Sequence, residues 1–217
     1  MSIRVFIADD HAVVRDCLRF LLEAQADMTV VGDVADGRQA VYQVRKLCPD
    51  VVVMDVAMPG LNGIEATRQI RQFCPSSQVV ILSMYATSEH IFHALQAGAL
   101  GYLLKESAAV EVVNAVRAVY TGHRYLCHKI DDVKIDSYIH QRQITGAKSP
   151  LESLSPRERE VLQLVVEGKS SAEIADILYL SSKTVETYRS RLMQKLDIKD
   201  IPSLVKFAIQ HGLTRPE

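Results

Sequence analysis

Acidic residues follow two apolar runs in the first half of the chain. Asp9 and Asp10 come directly after Ile3–Ala8, and Asp55 comes after Val51–Met54. If the two runs are neighbouring parallel strands, their carboxyl ends meet at one edge of a sheet and the carboxylates converge. Three negative charges at such short range are unfavourable unless a proton or a cation neutralises them, and Mg²⁺ prefers oxygen ligands of this kind. The spacing therefore predicts a magnesium site formed by these three residues.

Two more polar residues end apolar runs of the same kind. Ser83 follows Val79–Leu82, and Lys105 follows Gly101–Leu104. A carboxylate beside Mg²⁺ and an ammonium group can attack a phosphoryl group, because the transferred oxygens need cationic stabilisation. We predict that Asp55 is the nucleophile and that the Ser83 hydroxyl bonds the product. The alternative, in which the acidic residues only cap helices, explains the whole set less well.

The elements that must position these residues alternate along residues 1–121. Short runs rich in Val, Ile, Leu and aromatic residues are separated by segments with apolar residues at spacings of three and four. Five strands alternating with five helices predict an α/β domain, a doubly wound five-stranded parallel sheet with helices on both faces. The predicted strands are Ile3–Ala8, Thr29–Asp33, Val51–Met54, Val79–Leu82 and Gly101–Leu104.

The remaining chain has two parts. Residues 122–150 lose the alternation and are predicted to be a linker with a short helix around Ile135–Gln141. Residues 151–217 have helical periodicity throughout, which predicts a small all-α domain of four helices. The first helix starts in the capping box Ser155-Pro156-Arg157-Glu158 and stops at Gly168, and the others cover about Ala172–Leu178, a segment from near Ser181, and Pro202–Gln210.

The third of these helices is amphipathic. Val185, Leu192 and Leu196, with Tyr188 beside them, are predicted to face the core, and a polar, partly basic face lies opposite. Ser181–Lys199 holds five basic residues against two acidic ones, inside a domain with ten of each. Such a helix after a tight turn suits a DNA major groove, although a solvated helix in a bundle remains the alternative.

The composition indicates the cellular compartment in which the protein is expected to work. The net charge of −1 gives no indication of nucleic-acid binding by itself. The four cysteines, Cys17, Cys48, Cys74 and Cys127, lie far apart, which argues against a zinc site or a disulfide framework and predicts buried thiols in a reducing cytosol. With no apolar run long enough to cross a bilayer and no signal peptide visible, we expect a cytoplasmic protein without membrane contact.

Residues 3–121 resemble the receiver domain of two-component signalling proteins. The resemblance is carried by Ile7-Ala8-Asp9-Asp10-His11, Met54-Asp55-Val56-Ala57-Met58-Pro59-Gly60, Ser83 and Leu104-Lys105. It implies a flavodoxin-like strand order of 2-1-3-4-5 and Asp55 as the site phosphorylated by a sensor histidine kinase. It also implies that Asp9, Asp10 and Asp55 hold Mg²⁺ with the Ala57 carbonyl, and that Ser83 and Tyr102 form the switch pair. Where many receivers have Lys-Pro, this chain has Lys105-Glu106.

The C-terminal helices closely resemble the LuxR-type helix-turn-helix. The motifs are Leu154-Ser155-Pro156-Arg157-Glu158-Arg159-Glu160-Val161-Leu162, Ile174-Ala175 and Leu180-Ser181-Ser182-Lys183-Thr184-Val185-Glu186-Thr187-Tyr188-Arg189. With the receiver they point to the NarL/FixJ family of response regulators. By position, the residues that would read bases are Glu186, Thr187 and Ser190, and those that would mostly meet phosphates are Lys183, Thr184, Tyr188, Arg191 and Lys195.

The family resemblance implies a phosphorylation-dependent regulator of transcription. The expected partners are a histidine kinase and double-stranded DNA, with an inverted-repeat operator and a homodimer of the phosphorylated form paired through the fourth helix. The domain boundaries are then 1–121 for the receiver, 122–150 for the linker and 151–217 for the DNA-binding domain. The chain would be no enzyme beyond its own phosphoryl transfer and dephosphorylation.

Three other functions stay open on sequence alone. A phosphatase related to the haloacid dehalogenases would need a second acid two residues after Asp55, where this chain has Ala57. A flavodoxin-like module would need a hydroxyl-rich phosphate loop where Asp9 and Asp10 stand. A regulator acting only through protein contacts would leave the helical domain without DNA.

Overall fold

A computed structural model describes residues 2–107, 109–146 and 149–214. The chain divides into two compact units, Met1–Ile139 and His140–Glu217, and each is described by itself. Among the described residues, no helix combines the length and the apolar character that a bilayer-spanning segment requires.

The first unit is built on a parallel sheet of six strands. They are β1 (Ile3–Ala8), β2 (Met28–Val34), β3 (Val51–Asp55), β4 (Gln78–Ser83), β5 (Gly101–Leu104) and β6 (Tyr125–Leu126). Their order in the sheet is β2-β1-β3-β4-β5-β6. Strand β3 is buried along its whole length, as a central strand covered on both faces should be.

Five helices connect the strands of this sheet. They are α1 (Ala12–Glu23), α2 (Gly37–Leu47), α3 (Gly63–Phe73), α4 (Ser88–Gln96) and α5 (Ala109–Tyr120). Side-chain oxygens of Asp36, Asn62 and Thr87 accept backbone N–H groups at the starts of α2, α3 and α4, which fixes where these helices begin. The core between sheet and helices contains Phe6, Ile7, Met54, Ile81, Leu103 and other side chains with almost no exposure.

The α/β fold class and the five predicted strands are confirmed, each strand within one residue at either end. The structure adds β6, which pairs in parallel with β5 and lies within residues 122–150, the segment predicted to be a linker. A strand of two residues is too short to produce a recognisable alternation. The same segment contains α6 (Asp132–Thr145), which is longer than the helix predicted around Ile135–Gln141 and runs across the division between the two units.

The prediction that the cysteines are buried is half wrong. Cys74 and Cys127 are buried, whereas Cys17 and Cys48 are exposed. Cys17 lies on the solvent side of α1, and Cys48 is the residue that ends α2.

The second unit is a helical domain with its own core. Over residues 149–214 it contains a 3₁₀ helix (Pro150–Ser153) and the helices α7 (Pro156–Val166), α8 (Ser171–Leu178), α9 (Ser182–Leu196) and α10 (Ile201–Gln210). Ser155 forms the predicted capping box with Glu158, and Ser170 forms another with Glu173. Val161, Leu162, Ile174, Val185 and Leu192 are fully buried in the core, so the predicted apolar face of α9 is confirmed.

Candidate functional site

Strand register brings four of the predicted residues to one edge of the sheet. Ala8 lies opposite Met54, so Asp9 and Asp55 continue neighbouring strands at the same level. Leu82 lies opposite Asp55, and Ser83 lies opposite Leu104, so Ser83 and Lys105 continue the next two strands. This edge is the carboxyl end of a doubly wound sheet, where ligands of such folds bind.

Lys105 bridges the two buried carboxylates of this acidic pocket. Its Nζ lies 2.7 Å from Oδ2 of Asp9 and 2.9 Å from Oδ2 of Asp55. Both carboxyl side chains are buried, at 1% and 2% exposure, and the Lys105 side chain is only 10% exposed. Charges withdrawn from water this far interact strongly, so the ammonium group offsets part of the repulsion between the carboxylates.

Asp10 and His11 complete the pocket on its more exposed side. His11 Nδ1 lies 2.7 Å from Oδ1 of Asp10 and 3.2 Å from Oδ1 of Asp9. One ligand atom from each of Asp9, Asp10, His11 and Asp55 falls within 4.8 Å of the others. Three carboxylates in this set supply hard oxygen donors, and their charge exceeds that of one lysine by two. The donor set therefore fits a hard divalent cation such as Mg²⁺.

Gly63 allows the start of α3 to lie directly against Asp55. Its backbone nitrogen donates to the Val56 carbonyl at 2.8 Å. A Cβ on Gly63 would lie 1.9 Å from the backbone oxygen of Asp55, which is far inside van der Waals contact. This glycine therefore sets how closely the loop after Asp55 turns back on its strand.

Ser83 and Tyr102 are connected through the backbone of Tyr85. The backbone nitrogen of Tyr85 donates to the Ser83 hydroxyl at 3.1 Å, and the Tyr102 hydroxyl donates to the Tyr85 carbonyl at 2.7 Å. Tyr102 has no exposed surface, and this burial raises the pKa of its hydroxyl far above the ordinary value. The ring of Tyr102 is therefore turned inward, with the loop after β4 fixed over it.

The second candidate site is the exposed face of α9. Six of the eight predicted DNA-contacting residues lie on it with exposed side chains, namely Lys183, Glu186, Thr187, Ser190, Arg191 and Lys195. Ser181 caps this helix and accepts the backbone N–H of Thr184 at 3.1 Å. The turn before the helix carries Tyr179, which is 96% exposed at a left-handed φ of 55°.

Lys195 contacts its own domain. Its Nζ lies 2.7 Å from Oε2 of Glu158 and 3.1 Å from the carbonyl of Ser153. Glu158 is only 3% exposed. Burial acts to raise the pKa of Glu158, but the bonds from Lys195 and Ser155 outweigh it and leave the pKa below the ordinary value. The Lys195 side chain is 42% exposed, and its ammonium group is ion-paired with Glu158 of its own domain.

Thr184 and Tyr188 are half-buried. The Thr184 hydroxyl lies 2.8 Å from the Ser181 hydroxyl, and the Tyr188 ring packs against the domain core. In the sequence, His11 and Glu158 are recognisable only as parts of motifs. Their positions could have been inferred from the adjacency of His11 to two acids and from the capping box, but their contacts depend on tertiary structure.

Two known protein families match this chain, one in each of its two units. Residues 5–117 match the family described as response regulator receiver domain, and residues 152–208 match bacterial regulatory proteins of the luxR family. The oxygen regulatory protein NreC of Staphylococcus epidermidis is 38% identical over 214 residues, which cover 97% of this chain and 98% of NreC. The transcriptional regulatory protein YxjL of Bacillus subtilis is 37% identical over 214 residues, 99% of this chain and 98% of YxjL.

A solved structure is similar along nearly the whole chain. It is RcsB from Salmonella enterica serovar Typhimurium bound to promoter rprA in the presence of phosphomimetic BeF₃⁻. The two chains are 26% identical with a TM-score of 0.63, and the match covers 95% of this chain and 98% of RcsB. On these matches, the chain belongs to the NarL/FixJ family of two-component response regulators, with a receiver domain followed by a LuxR-type helix-turn-helix domain.

Proposed function

We propose that this transcription regulator is controlled by phosphorylation of Asp55. The observation that carries the proposal is the position of Lys105, whose ammonium group lies 2.9 Å from the Asp55 carboxylate and 2.7 Å from that of Asp9. A fixed cation beside a buried carboxylate is suited to the charge of a phosphoryl group in transfer.

The phosphodonor would be a phosphohistidine of a sensor kinase. An oxygen of Asp55 attacks the phosphorus, the P–N bond breaks, and the released imidazole takes up a proton. Lys105 stabilises the negative charge on the phosphoryl oxygens. The Ser83 hydroxyl, one strand away, donates a hydrogen bond to the phosphorylated product.

Asp9, Asp10 and Asp55 would hold Mg²⁺, together with the backbone carbonyl of Ala57. When bound, the ion supplies positive charge that neutralises the carboxylates and the phosphoryl oxygens. The oxygen donors of the pocket and their net negative charge support this assignment.

Ser83 and Tyr102 would transmit the phosphorylated state. Ser83 holds the backbone of Tyr85 in the structure, so a hydroxyl drawn towards a phosphate would release that backbone nitrogen. The loop between β4 and α4 then changes its conformation together with the Tyr102 ring. Phosphorylation acts in this way on an equilibrium between two receiver states.

The helical domain would bind double-stranded DNA with α9 in the major groove. Glu186, Thr187 and Ser190 would read bases, whereas Lys183 and Arg191 would contact phosphates. Thr184, Tyr188 and Lys195 would act at the margin of this surface, because their side chains are half-buried or ion-paired. The acidic Glu186 favours the amino group of a cytosine.

The phosphorylated chain would act as a homodimer on an inverted repeat. Helix α10 buries Leu204 and Ala208 in its own domain and leaves Ile201 37% exposed, so part of its apolar surface remains available for pairing. We assign receiver function to residues 1–121 and DNA binding to 151–217, with 122–150 as a connecting segment that contributes β6 and α6. The protein would work in the cytoplasm, where kinase and DNA are both accessible.

The proposal is tested by phosphorylation with acetyl phosphate and Mg²⁺, followed by a DNA mobility-shift assay on genomic fragments. Wild-type protein should incorporate phosphate at Asp55 and retard particular fragments more strongly after phosphorylation. Incorporation at another residue would refute the receiver mechanism. Retardation of no fragment in either state would favour a regulator that acts through protein contacts alone.

A further inference from the structure

Two of the four cysteines lie in contact although they are 26 positions apart in the sequence. The Sγ atoms of Cys48 and Cys74 are 3.5 Å apart, which is hydrogen-bonding distance for two thiols. Cys48 ends α2 and Cys74 ends α3, and these two helices pack side by side. Arg4 near the start of β1 donates to the Cys48 carbonyl, and Ser77 after α3 donates to the Pro49 carbonyl before β3. The C-terminal ends of both helices therefore lie at the edge of the sheet where β1 and β3 begin, opposite to Asp55 at the end of β3.

The two thiols differ in their access to solvent. Cys48 is exposed, whereas Cys74 is buried at 4% exposure. Burial, followed by the hydrogen bond with Cys48, raises the pKa of the Cys74 thiol, and the nearby Arg45 acts in the opposite direction. Cys48 is therefore the thiol that a dissolved oxidant reaches first, and Cys74 is a protected partner within reach of it.

We propose that Cys48 and Cys74 form an intramolecular disulfide when the protein meets a hydroperoxide. The Cys48 thiol loses its proton, the thiolate attacks one oxygen of hydrogen peroxide, and the O–O bond breaks. The leaving hydroxide takes up the proton, so a sulfenic acid and water form. Cys74 then loses its proton and attacks the Cys48 sulfur, the S–O bond breaks, and a second water leaves. In total, two thiols and one peroxide give one disulfide and two waters.

The geometry requires little movement for this reaction. A disulfide has an S–S length of about 2.05 Å, so the sulfurs must approach by about 1.5 Å. The backbone next to Cys48 is already fixed, because Arg4 donates to the carbonyls of Leu47 and Cys48 at 2.8 and 2.9 Å. The bond would join α2 to α3 and close a loop that contains Asp55.

Both cysteines lie at helix C-termini, where the helix dipole disfavours a thiolate. Cys48 should therefore react with a hydroperoxide more slowly than a cysteine activated by a helix N-terminus. We expect the disulfide to form under sustained oxidation. Cys48 precedes β3 and Asp55 ends it, so the two sites lie at opposite ends of this strand, and the inference does not rest on the proposed phosphorylation.

The test is oxidation of the full chain with hydrogen peroxide, followed by peptide mass spectrometry without reduction. We expect a linked peptide pair containing Cys48 and Cys74, a higher melting temperature of the monomer, and reversal of both by dithiothreitol. A Cys17→Ser variant, which removes the other exposed thiol, should behave like the wild type.

Two further variants distinguish the cysteine that attacks the peroxide from the cysteine that closes the disulfide. In Cys48→Ser, the buried Cys74 should stay reduced at peroxide levels that oxidise the wild type. In Cys74→Ser, Cys48 should proceed to sulfinic acid because no thiol captures its sulfenic acid. The proposal is overturned if Cys48 of the wild type accumulates as sulfinic acid with Cys74 reduced, or if only intermolecular disulfides form.

Discussion

The hydroxyl of Tyr102 donates a hydrogen bond to the backbone carbonyl of Tyr85 at 2.7 Å, inside a core that excludes water from the ring. This bond attaches the loop after β4 to the strand that leads to Lys105. The Ser83 hydroxyl accepts the backbone N–H of the same Tyr85, so both backbone polar groups of this loop residue are hydrogen-bonded.

Replacing Tyr102 by Phe should lower the free energy of unfolding by about 1 kcal/mol at neutral pH, because the Tyr85 carbonyl loses its partner. The pKa of Tyr102 is raised in the folded state, so its contribution is complete below the unfolded-state pKa of about 10 and is lost as the pH rises above it. Chemical denaturation between neutral and alkaline pH measures this.

The decline in stability above about pH 10 should therefore be shallower in the Phe variant than in the wild type. Tyr42→Phe is the matched control, since that side chain is 57% exposed, and it should follow the wild-type curve. Identical alkaline curves for Tyr102→Phe and wild type would contradict the buried, neutral hydroxyl.

Gly63→Ala should destabilise the receiver and impair phosphorylation together. The new Cβ would lie 1.9 Å from the Asp55 carbonyl oxygen, so α3 or the loop after Asp55 must shift. We expect a loss of about 2 kcal/mol or more in unfolding free energy. Gly122→Ala is the control, because its Cβ meets nothing within 4 Å and only its positive φ is penalised. Equal losses in the two variants would mean that close approach to Asp55 is unimportant.

Magnesium should stabilise the wild type and not Asp10→Asn. Ligand binding to the folded state at ten times its Kd adds about 1.4 kcal/mol, which thermal melts with and without MgCl₂ detect. Without Mg²⁺, the Asn variant should be at least as stable as the wild type, because one of several crowded negative charges is gone. Asp16→Asn, which changes an exposed residue on α1, should be stabilised by Mg²⁺ as much as the wild type is. An unchanged response in Asp10→Asn would remove that residue from the metal site.

Arg191→Ala and Lys195→Ala should separate DNA binding from stability. Arg191 is exposed on α9, so its loss should weaken DNA binding and reduce the salt slope of log K by about 1. Lys195 pairs with Glu158, so its loss should instead lower the unfolding free energy by about 1 kcal/mol and leave the salt slope nearly unchanged. Fluorescence anisotropy at several salt concentrations, with denaturation curves, measures both. The reverse pattern would show that Lys195 contacts the phosphates.

Much of the fold could be predicted from sequence because its signals are local. The apolar runs of β1, β3 and β5 and the capping box at Ser155 each lie within a few residues of chain. Strand β6 could not be predicted, because its two residues form a strand only through their pairing with β5. The carboxylate pocket was predictable in outline, since strand ends of a parallel sheet converge on one edge.

The contacts that alter individual roles are tertiary and carry no local signal. Lys195 has the charge and the helical position of a phosphate contact, and only the packing of α7 against α9 brings Glu158 to it. Likewise, Cys48 and Cys74 are far apart in sequence, and the packing of α2 against α3 brings their sulfur atoms together.

The most direct test of the account is the site of phosphate incorporation and its effect on DNA binding, measured on wild type and Asp55→Ala. After acetyl phosphate and Mg²⁺, the wild type should carry one phosphoryl group on Asp55 and bind its operator more tightly. The variant should carry none and bind equally with or without the donor. Normal phosphate incorporation in Asp55→Ala, or tighter DNA binding by the treated variant, would contradict the account.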